Sequence, residues 1–428
     1  MKKCLVLGGG FAGLSSAVYL SKAGFKVELI EASPKLGGRA YSFTDQDNNT
    51  IIDNGQHILM GCYRETLDFF REINALDNLD FQKRLQVNFV KENFRVFPLK
   101  AFPVFYPLNL ILGILNYKAL KLYERLKLLS FFFKMNFHPA GSLSELSVYD
   151  WLEKENQDEN IRKAFWEILC AGALNTNIRK ASAKIFADIL KQIFFTGRKS
   201  AAIVLPKYGL TETYCLAAQK YIKANGGEIK FTEKAEEIIF DKDKAVKVLT
   251  SKKEIEDFDF VVSALPLFAL EKIAPEIKLP DGLRLTYSSI LTIHIWLNEN
   301  KLEKAFYGLI NSKVHWIFNH SSHLTLVISD ANDLVELSKE EIFEMVAAEL
   351  EKFVNISSKE IKNYRVIKEK RATFIPSNYI IGRRPEAKTQ FRNFFLAGDW
   401  VETGLPSTIE SAVKSGKTAA QLILNSCP

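Results

Sequence analysis

The sequence predicts an α/β fold built on a parallel, dinucleotide-binding sheet, and three observations lead there. A glycine-rich turn joins a short apolar strand to a helix, and a second strand ending in an acid follows, all within the first 31 residues. The length of 428 residues exceeds one ordinary domain of ~150, which leaves room for a second, interleaved unit. The hydrophobic fraction of 47% and charged fraction of 25% are those of a globular chain, which excludes extensive disorder, collagen-like repeats and low-complexity scaffolds.

The first element runs from Cys4 to Leu7, an uncharged run of branched residues suited to a parallel strand buried on both faces. Gly8-Gly9-Gly10-Phe11-Ala12-Gly13 follows at once. Leu14, Ala17, Val18 and Leu20 then recur at helical spacing until Ala23-Gly24, where glycine accommodates the left-handed cap. Lys26 to Ile30 reads as the second strand, closed by Glu31 and Ala32. A pyrophosphate needs a backbone with no Cβ in its way at the positive end of a helix; Gly8, Gly10 and Gly13 supply it, with Phe11 and Ala12 opening the helix. Glu31 lies 18 residues beyond Gly13, near the ~20 expected of the acid that binds ribose hydroxyls. The glycines alone would fit any βαβ unit, but strand, helix, second strand and acid together read as a dinucleotide site.

The formal charge of +7 comes without a Lys/Arg block of the nucleic-acid type, so nucleic acid is not an expected partner. Five scattered cysteines with no CxxC pair signal neither a disulfide framework nor a cysteine zinc site, which fits a reducing cytoplasm. The opening MKKCLVLGGGFAGL has the look of a signal peptide, but its glycine spacing reads as structure. Besides His57, the histidines are His138, His294, His315, His320 and His323, with no HExxH pattern; the last three are expected at solvated positions around a strand turn, and no metal is predicted.

Beyond Glu31, Gly37-Gly38-Arg39 and, far downstream, Asn393-Phe394-Phe395-Leu396-Ala397-Gly398-Asp399-Trp400 resemble the FAD-dependent amine oxidase and carotenoid desaturase superfamily. The resemblance implies a Rossmann-like FAD-binding domain of the glutathione-reductase type, from residues 1–75, 201–266 and 385–428. Interleaved with it would be an α+β substrate-binding domain from 76–200 and 267–384, part of it helical and turned to the membrane. Gly38 and Arg39 would lie along the FAD near its pyrophosphate, and Asp399 would meet the ribityl and pyrophosphate portion. The N-terminus of a helix starting near Ser407 and Thr408 would face the flavin pyrimidine, where a helix N-terminus stabilises the charge of reduced flavin. Glu233 to Ile238 resembles the strand that meets adenine, at Ala235, and Asp259 to Pro266 the strand leading back toward FAD. No His or Cys is marked as an attachment point, so the expected FAD is noncovalent.

Asp53-Asn54-Gly55-Gln56-His57, continuing to Gly61-Cys62-Tyr63, together with Ala173-Leu174-Asn175-Thr176, resembles more closely the hydroxysqualene dehydroxylases. Asn177 departs from the pattern, where proline is expected. That resemblance implies hydride transfer from reduced FAD to a C30 isoprenoid alcohol with loss of water, on the route to squalene and hopanoids; the electron donor that reduces the flavin is left open. Gly55 would join the cofactor set. His57 would act as the acid, since an unperturbed imidazole donates near neutral pH. Gln56 and Asn175 would orient the hydroxyl or line the flavin. The alternatives are a carotenoid or phytoene desaturase running the flavin in the opposite direction and, more distantly, an amine oxidase or a non-catalytic prenyl-binding protein of the Rab GDP-dissociation-inhibitor type.

The 17 uncharged residues from Ala101 to Tyr117 are broken by prolines and shorter than the ~20 of a spanning helix, so no span is expected. Lys118, Lys121, Arg125, Lys127 and Lys134 then alternate with leucines and phenylalanines. That pattern fits both a core helix with solvated lysines and a segment lying on a membrane. The implied substrate, barely soluble in water, favours a membrane-associating segment near 101–134 and places the protein in the cytoplasm at the inner face of the membrane.

Overall fold

Five strands from widely separated stretches form one parallel sheet, in the spatial order Glu228–Phe231, Lys26–Glu31, Lys3–Leu7, Phe260–Ser263 and Phe394–Leu396. The computed structural model describes residues 1–137 and 141–427. Cys4 pairs with Val27 on one side and Phe260 on the other, and Val262 pairs with Phe395. Every residue from Cys4 to Leu7 is buried, which is why the first strand carries no polar alternation.

The first helix, Phe11–Lys22, crosses the last, Ile409–Asn425, at very short range. A Cβ on Gly416 would stand 2.1 Å from the Ala12 carbonyl oxygen, so only glycine permits the crossing. Ser15 Oγ adds a 2.8 Å bond to the Val413 carbonyl at the same contact. The last strand and helix are thereby locked onto the first.

A second sheet has seven strands in the order Ile361–Phe374, Tyr287–Leu297, Leu324–Ile328, Trp316–Asn319, Phe306–Leu309, Gln86–Lys91 and Arg95–Lys100. Leu291, Ile293 and Ile295 send one face of the long Tyr287–Leu297 strand into a core with Ile342, Val346 and Leu350 of the Lys339–Val354 helix. Strand alternation points Thr292, His294 and Trp296 the other way, toward residues 50–57. The far strands of this face continue into an apolar core built from Phe89, Phe131, Trp151, Trp166 and Phe186. The helices Leu108–Leu115, Leu122–Met135, Glu167–Leu174 and Ala183–Phe195 cover that core. Among the described residues no helix is long and apolar enough to cross a membrane.

Candidate functional site

The turn after the first strand is made of backbone. Gly8 has φ +103 and donates its N–H to the Ile30 carbonyl at 2.8 Å, while a Cβ on Gly13 would fall 1.8 Å from the Gly8 oxygen. No side chain caps the helix that starts after Gly10, and its first turn carries no acid, so its positive end is open to an anion. Gly38, at φ +59, closes the opposite side; a Cβ there would lie 3.2 Å from the Gly10 Cα. The Phe11 ring stacks on Tyr214 at 3.9 Å, and the Tyr214 hydroxyl donates to the Ala40 carbonyl at 2.6 Å, which pins the second glycine turn to the first helix.

Glu31 sits where the second strand ends. Its carboxylate accepts the N–H groups of Gly9 at 2.7 Å and Ser33 at 2.8 Å, with Ala32 exposed beside it. The Glu233 N–H donates to the Glu31 carbonyl at 3.0 Å, which brings Ala235, first residue of the Ala235–Asp241 strand, to the same end. A carboxylate, a cradle that a Cβ would fill and an uncapped helix end are what an adenine dinucleotide requires, and FAD fits this half of the site.

The second half is held by charge. Arg39 Nη2 lies 2.5 Å from Asp399 Oδ1, and Arg39 Nη1 donates to the Ala372 carbonyl at 2.8 Å. Asp399 is buried, and its charge raises the Arg39 guanidinium above its ordinary value, while the arginine side chain stays 43% exposed. Ser407 donates to the other Asp399 oxygen. Gly398 N–H donates to Ser415 Oγ at 2.8 Å. The last helix begins one step later than Ser407: Thr408 is its cap, accepting the Ser411 N–H at 3.1 Å, which frees the Ser407 hydroxyl for Asp399.

Asn54 ties these turns to the distinctive segment that follows. Its side chain accepts from Tyr41 N–H at 3.0 Å and donates to the Arg39 carbonyl at 2.8 Å. Asp53 accepts from Ser42 Oγ at 2.7 Å and Leu210 N–H at 2.9 Å, and burial pushes its carboxyl up to about 6. His294 Nε2 donates to the Asp53 carbonyl at 3.0 Å, and Nδ1 accepts from Thr325 Oγ1 at 3.0 Å. Gln56 Oε1 accepts from His320 Nε2 at 2.9 Å.

His57 is half-buried, but its Nε2 is buried with no hydrogen-bond partner. Burial first, and the nearby Arg39 charge second, push its imidazole down to about 4. The expectation of an acid charged near neutral pH is therefore corrected: His57 is neutral at pH 7. Gly55 brings the backbone against it: a Cβ there would make ordinary contacts, 3.9 Å from His57 Nε2 and 3.7 Å from Thr292 Oγ1.

Asn175 caps its helix in the left-handed conformation at φ +48. It donates to Thr373 Oγ1 at 3.0 Å and accepts from Asp330 N–H at 2.9 Å, so its amide joins two parts of the large sheet. The solvated positions expected for His315 and His323 are corrected as well. His323 is 5% exposed, stacked 5.6 Å from Trp296 and 4.8 Å from the His320 ring at the turn, and His315 Nδ1 accepts from Ser329 N–H at 3.1 Å. His138 lies outside the described residues. No three His, Cys, Asp or Glu side chains among the described residues are grouped to hold a metal.

Away from Gly55 the sheet face turns apolar. Trp316 lies against Gly172, where a Cβ would be 3.1 Å from its ring, and Gly308 leaves 2.9 Å to Ile168 and Phe89. The two glycines let the Glu167–Leu174 helix settle onto the sheet. A small polar group at Gly55 and Thr292 is thus followed on the same sheet face by an apolar row, Val327 and Trp316.

Comparison with known proteins agrees with this geometry. The family model described as flavin containing amine oxidoreductase matches residues 11–424. A hydroxysqualene dehydroxylase of Zymomonas mobilis is 29% identical, with 98% of each chain covered. A second, of Rhodopseudomonas palustris, is 27% identical over 98% of this chain and 97% of its own. The 15-cis-phytoene desaturase of Synechococcus elongatus is 25% identical over 98% and 95%. Among solved structures, an oxidoreductase from Methanosarcina mazei superposes with a TM-score of 0.71 at 17% identity, covering 98% of this chain and 100% of that one. Putrescine oxidase bound to putrescine superposes with a TM-score of 0.72 at 17% identity, covering 99% of both. The non-catalytic prenyl-binding alternative gives way to redox chemistry: the chain belongs to the flavin-containing amine oxidoreductase family and is an FAD-dependent oxidoreductase.

Proposed function

We propose that the protein reduces hydroxysqualene to squalene, with loss of water. The observation that carries this reading is the site's polarity: the polar group of Gly55, His57 and Thr292 is followed, along one row of the same sheet face, by the apolar Val327, Trp316 and Phe89. A long hydrocarbon bearing one hydroxyl matches that distribution, and the dehydroxylase relatives support it.

Gly8, Gly10, Gly13, Glu31, Gly38, Arg39 and Asp399 would hold the FAD. Reduced FAD, when bound, would supply the hydride that replaces the hydroxyl, and the hydroxyl would leave as water with a proton drawn from solvent. His57, neutral and with an unpartnered Nε2, would hydrogen-bond that hydroxyl. Gln56 and Asn175 spend their side chains on His320 and on Thr373 and Asp330, so they position the walls of the site. The apolar face orients the chain and keeps water from the reacting carbon.

The test is to photoreduce the FAD-loaded protein without oxygen, add hydroxysqualene in detergent or liposomes, and follow flavin reoxidation together with the extracted product. Reoxidation matched by squalene is expected. The likeness to 15-cis-phytoene desaturase favours a second reading, in which oxidised FAD accepts hydride from a polyene precursor. Stable reduced flavin with unchanged alcohol, and bleaching of oxidised flavin by phytoene, would select it.

A further inference from the structure

Strongly exposed apolar side chains gather in one stretch of the chain, residues 105–137. Phe105, Leu122, Leu126, Phe133 and Phe137 are between 53% and 72% exposed. Elsewhere among the described residues only Met1, Ile51, Tyr208 and Leu216 are large, apolar and more than half exposed, at separate points of the chain.

Leu122, Leu126 and Phe133 stand at i, i+4 and i+11 of the Leu122–Met135 helix and share one outward stripe. The opposite side, with Leu128, Phe131, Phe132 and Met135, is buried in the core. A helix that is apolar on both sides exceeds what core packing asks of it. Its charges are also one-sided. Lys118 and Lys121 are exposed at the rim, whereas the helix's single acid, Glu124, is buried and accepts the Lys121 N–H at 2.6 Å. Lys127 and Lys134 are neutralised by Asp158 at 2.8 Å and Glu155 at 3.1 Å.

Behind the stripe, a crevice runs between this helix, the Leu108–Leu115 helix and the Arg95–Lys100 edge strand. Leu99, Leu110, Ile114, Phe132, Phe165 and Phe194 line it, with no polar side chain among its walls. Leu99, Ile114, Phe132 and Phe165 belong to the same apolar core as Trp316 on the reaction face.

We infer that the Leu108–Leu115 and Leu122–Met135 helices form a docking face for an anionic lipid bilayer. The second helix lies in the headgroup plane with Leu122, Leu126 and Phe133 in the acyl boundary, and Lys118 and Lys121 meet lipid phosphates. The crevice, about 20 Å³ as it stands, would have to widen by side-chain movement to admit the apolar substrate from the bilayer. That entry route rests on the proposed isoprenoid reaction; the docking does not.

The experiment is co-sedimentation of the FAD-loaded full chain with vesicles of phosphatidylcholine, with and without phosphatidylglycerol, and no substrate. Binding is expected to require phosphatidylglycerol and to weaken with salt. The double variant Leu126→Asp/Phe133→Asp should bind about tenfold less or worse, and Lys118→Glu/Lys121→Glu about tenfold less, both with unchanged flavin spectra. Leu126→Asn is the milder substitution should the double variant not fold, and it should weaken binding in the same direction. Undiminished binding by folded variants would overturn the proposal. So would a concentration-dependent dimer that Leu126→Asp/Phe133→Asp abolishes while the parent ignores vesicles, since a second copy would then cover the face. Vesicle binding without squalene formation would leave docking standing and sink the reaction, and the reverse result would do the opposite.

Discussion

At Gly13 the argument for cofactor binding reduces to one distance. A methyl group there would meet the Gly8 carbonyl at 1.8 Å, so Gly13→Ala is expected to purify largely without flavin, read as loss of visible absorbance. His57 gives a prediction with a sign. Its imidazole is pushed down to about 4, so it stays neutral across the physiological range. Turnover of hydroxysqualene should hold level from about pH 6 to 8, whereas an imidazolium donor would lose activity as pH rises through ~6.5. His57→Gln, which keeps a hydrogen-bonding group, should bind FAD normally and lower kcat by about tenfold, and His57→Ala by more. Full turnover by His57→Ala would remove His57 from the mechanism. The sequence alone marked His57 through its Gly-Gln-His run, but not its neutrality, because neutrality comes from burial and from Arg39, neither visible along the chain.

Among the elements, the first two strands and the helix between them were legible because every determinant is local: apolar run, glycine turn, helical spacing and Glu31 lie within one βαβ unit. The Phe394–Leu396 strand was placed only by resemblance, since its partner Phe260–Ser263 is more than a hundred residues away. The pairing of His294 with Asp53 and of His320 with Gln56 was not legible for the same reason, as these residues meet only through the fold. Tyr214 carries no motif at all, although it stacks on Phe11 and holds Ala40. Gly416 was equally silent, because a glycine inside a helix reveals a close crossing only when its neighbour is known. Gly416→Val should push the last helix off Ala12, at a cost of about 1–3 kcal/mol seen as a lower Tm, together with weaker FAD retention.

For the whole molecule, buried histidines set the response to acid. His294 and His323 are nearly inaccessible, and burial pushes them down to about 4 and about 3. The unfolded chain binds protons at these sites near ~6.5 and the folded chain does not, so stability falls as pH drops from about 6.5 toward 4. Asp53 works the other way, together with Glu167, Asp330 and Glu410, since burial raises these carboxyls and they are protonated in the fold before they are in the unfolded chain. The histidines pushed down, His57, His315 and His320 among them, outnumber these carboxyls, so Tm should drop between pH 7 and 5, and His323→Phe should flatten that slope. A Tm unchanged by acid would contradict the burial of this cluster.

The crossing of the first and last helices also orders events in time. Ala12 leaves the ribosome's active centre early, but Gly416, the Phe394–Leu396 strand and Asp399 are made some four hundred residues later. A nascent chain therefore carries the Gly8 to Glu31 turn early, gains Ala235 past its midpoint, and until the end lacks the half that Arg39 and Asp399 close. Tight flavin retention belongs to the finished polypeptide, and a chain truncated before residue 394 should emerge colourless however much FAD the cell supplies.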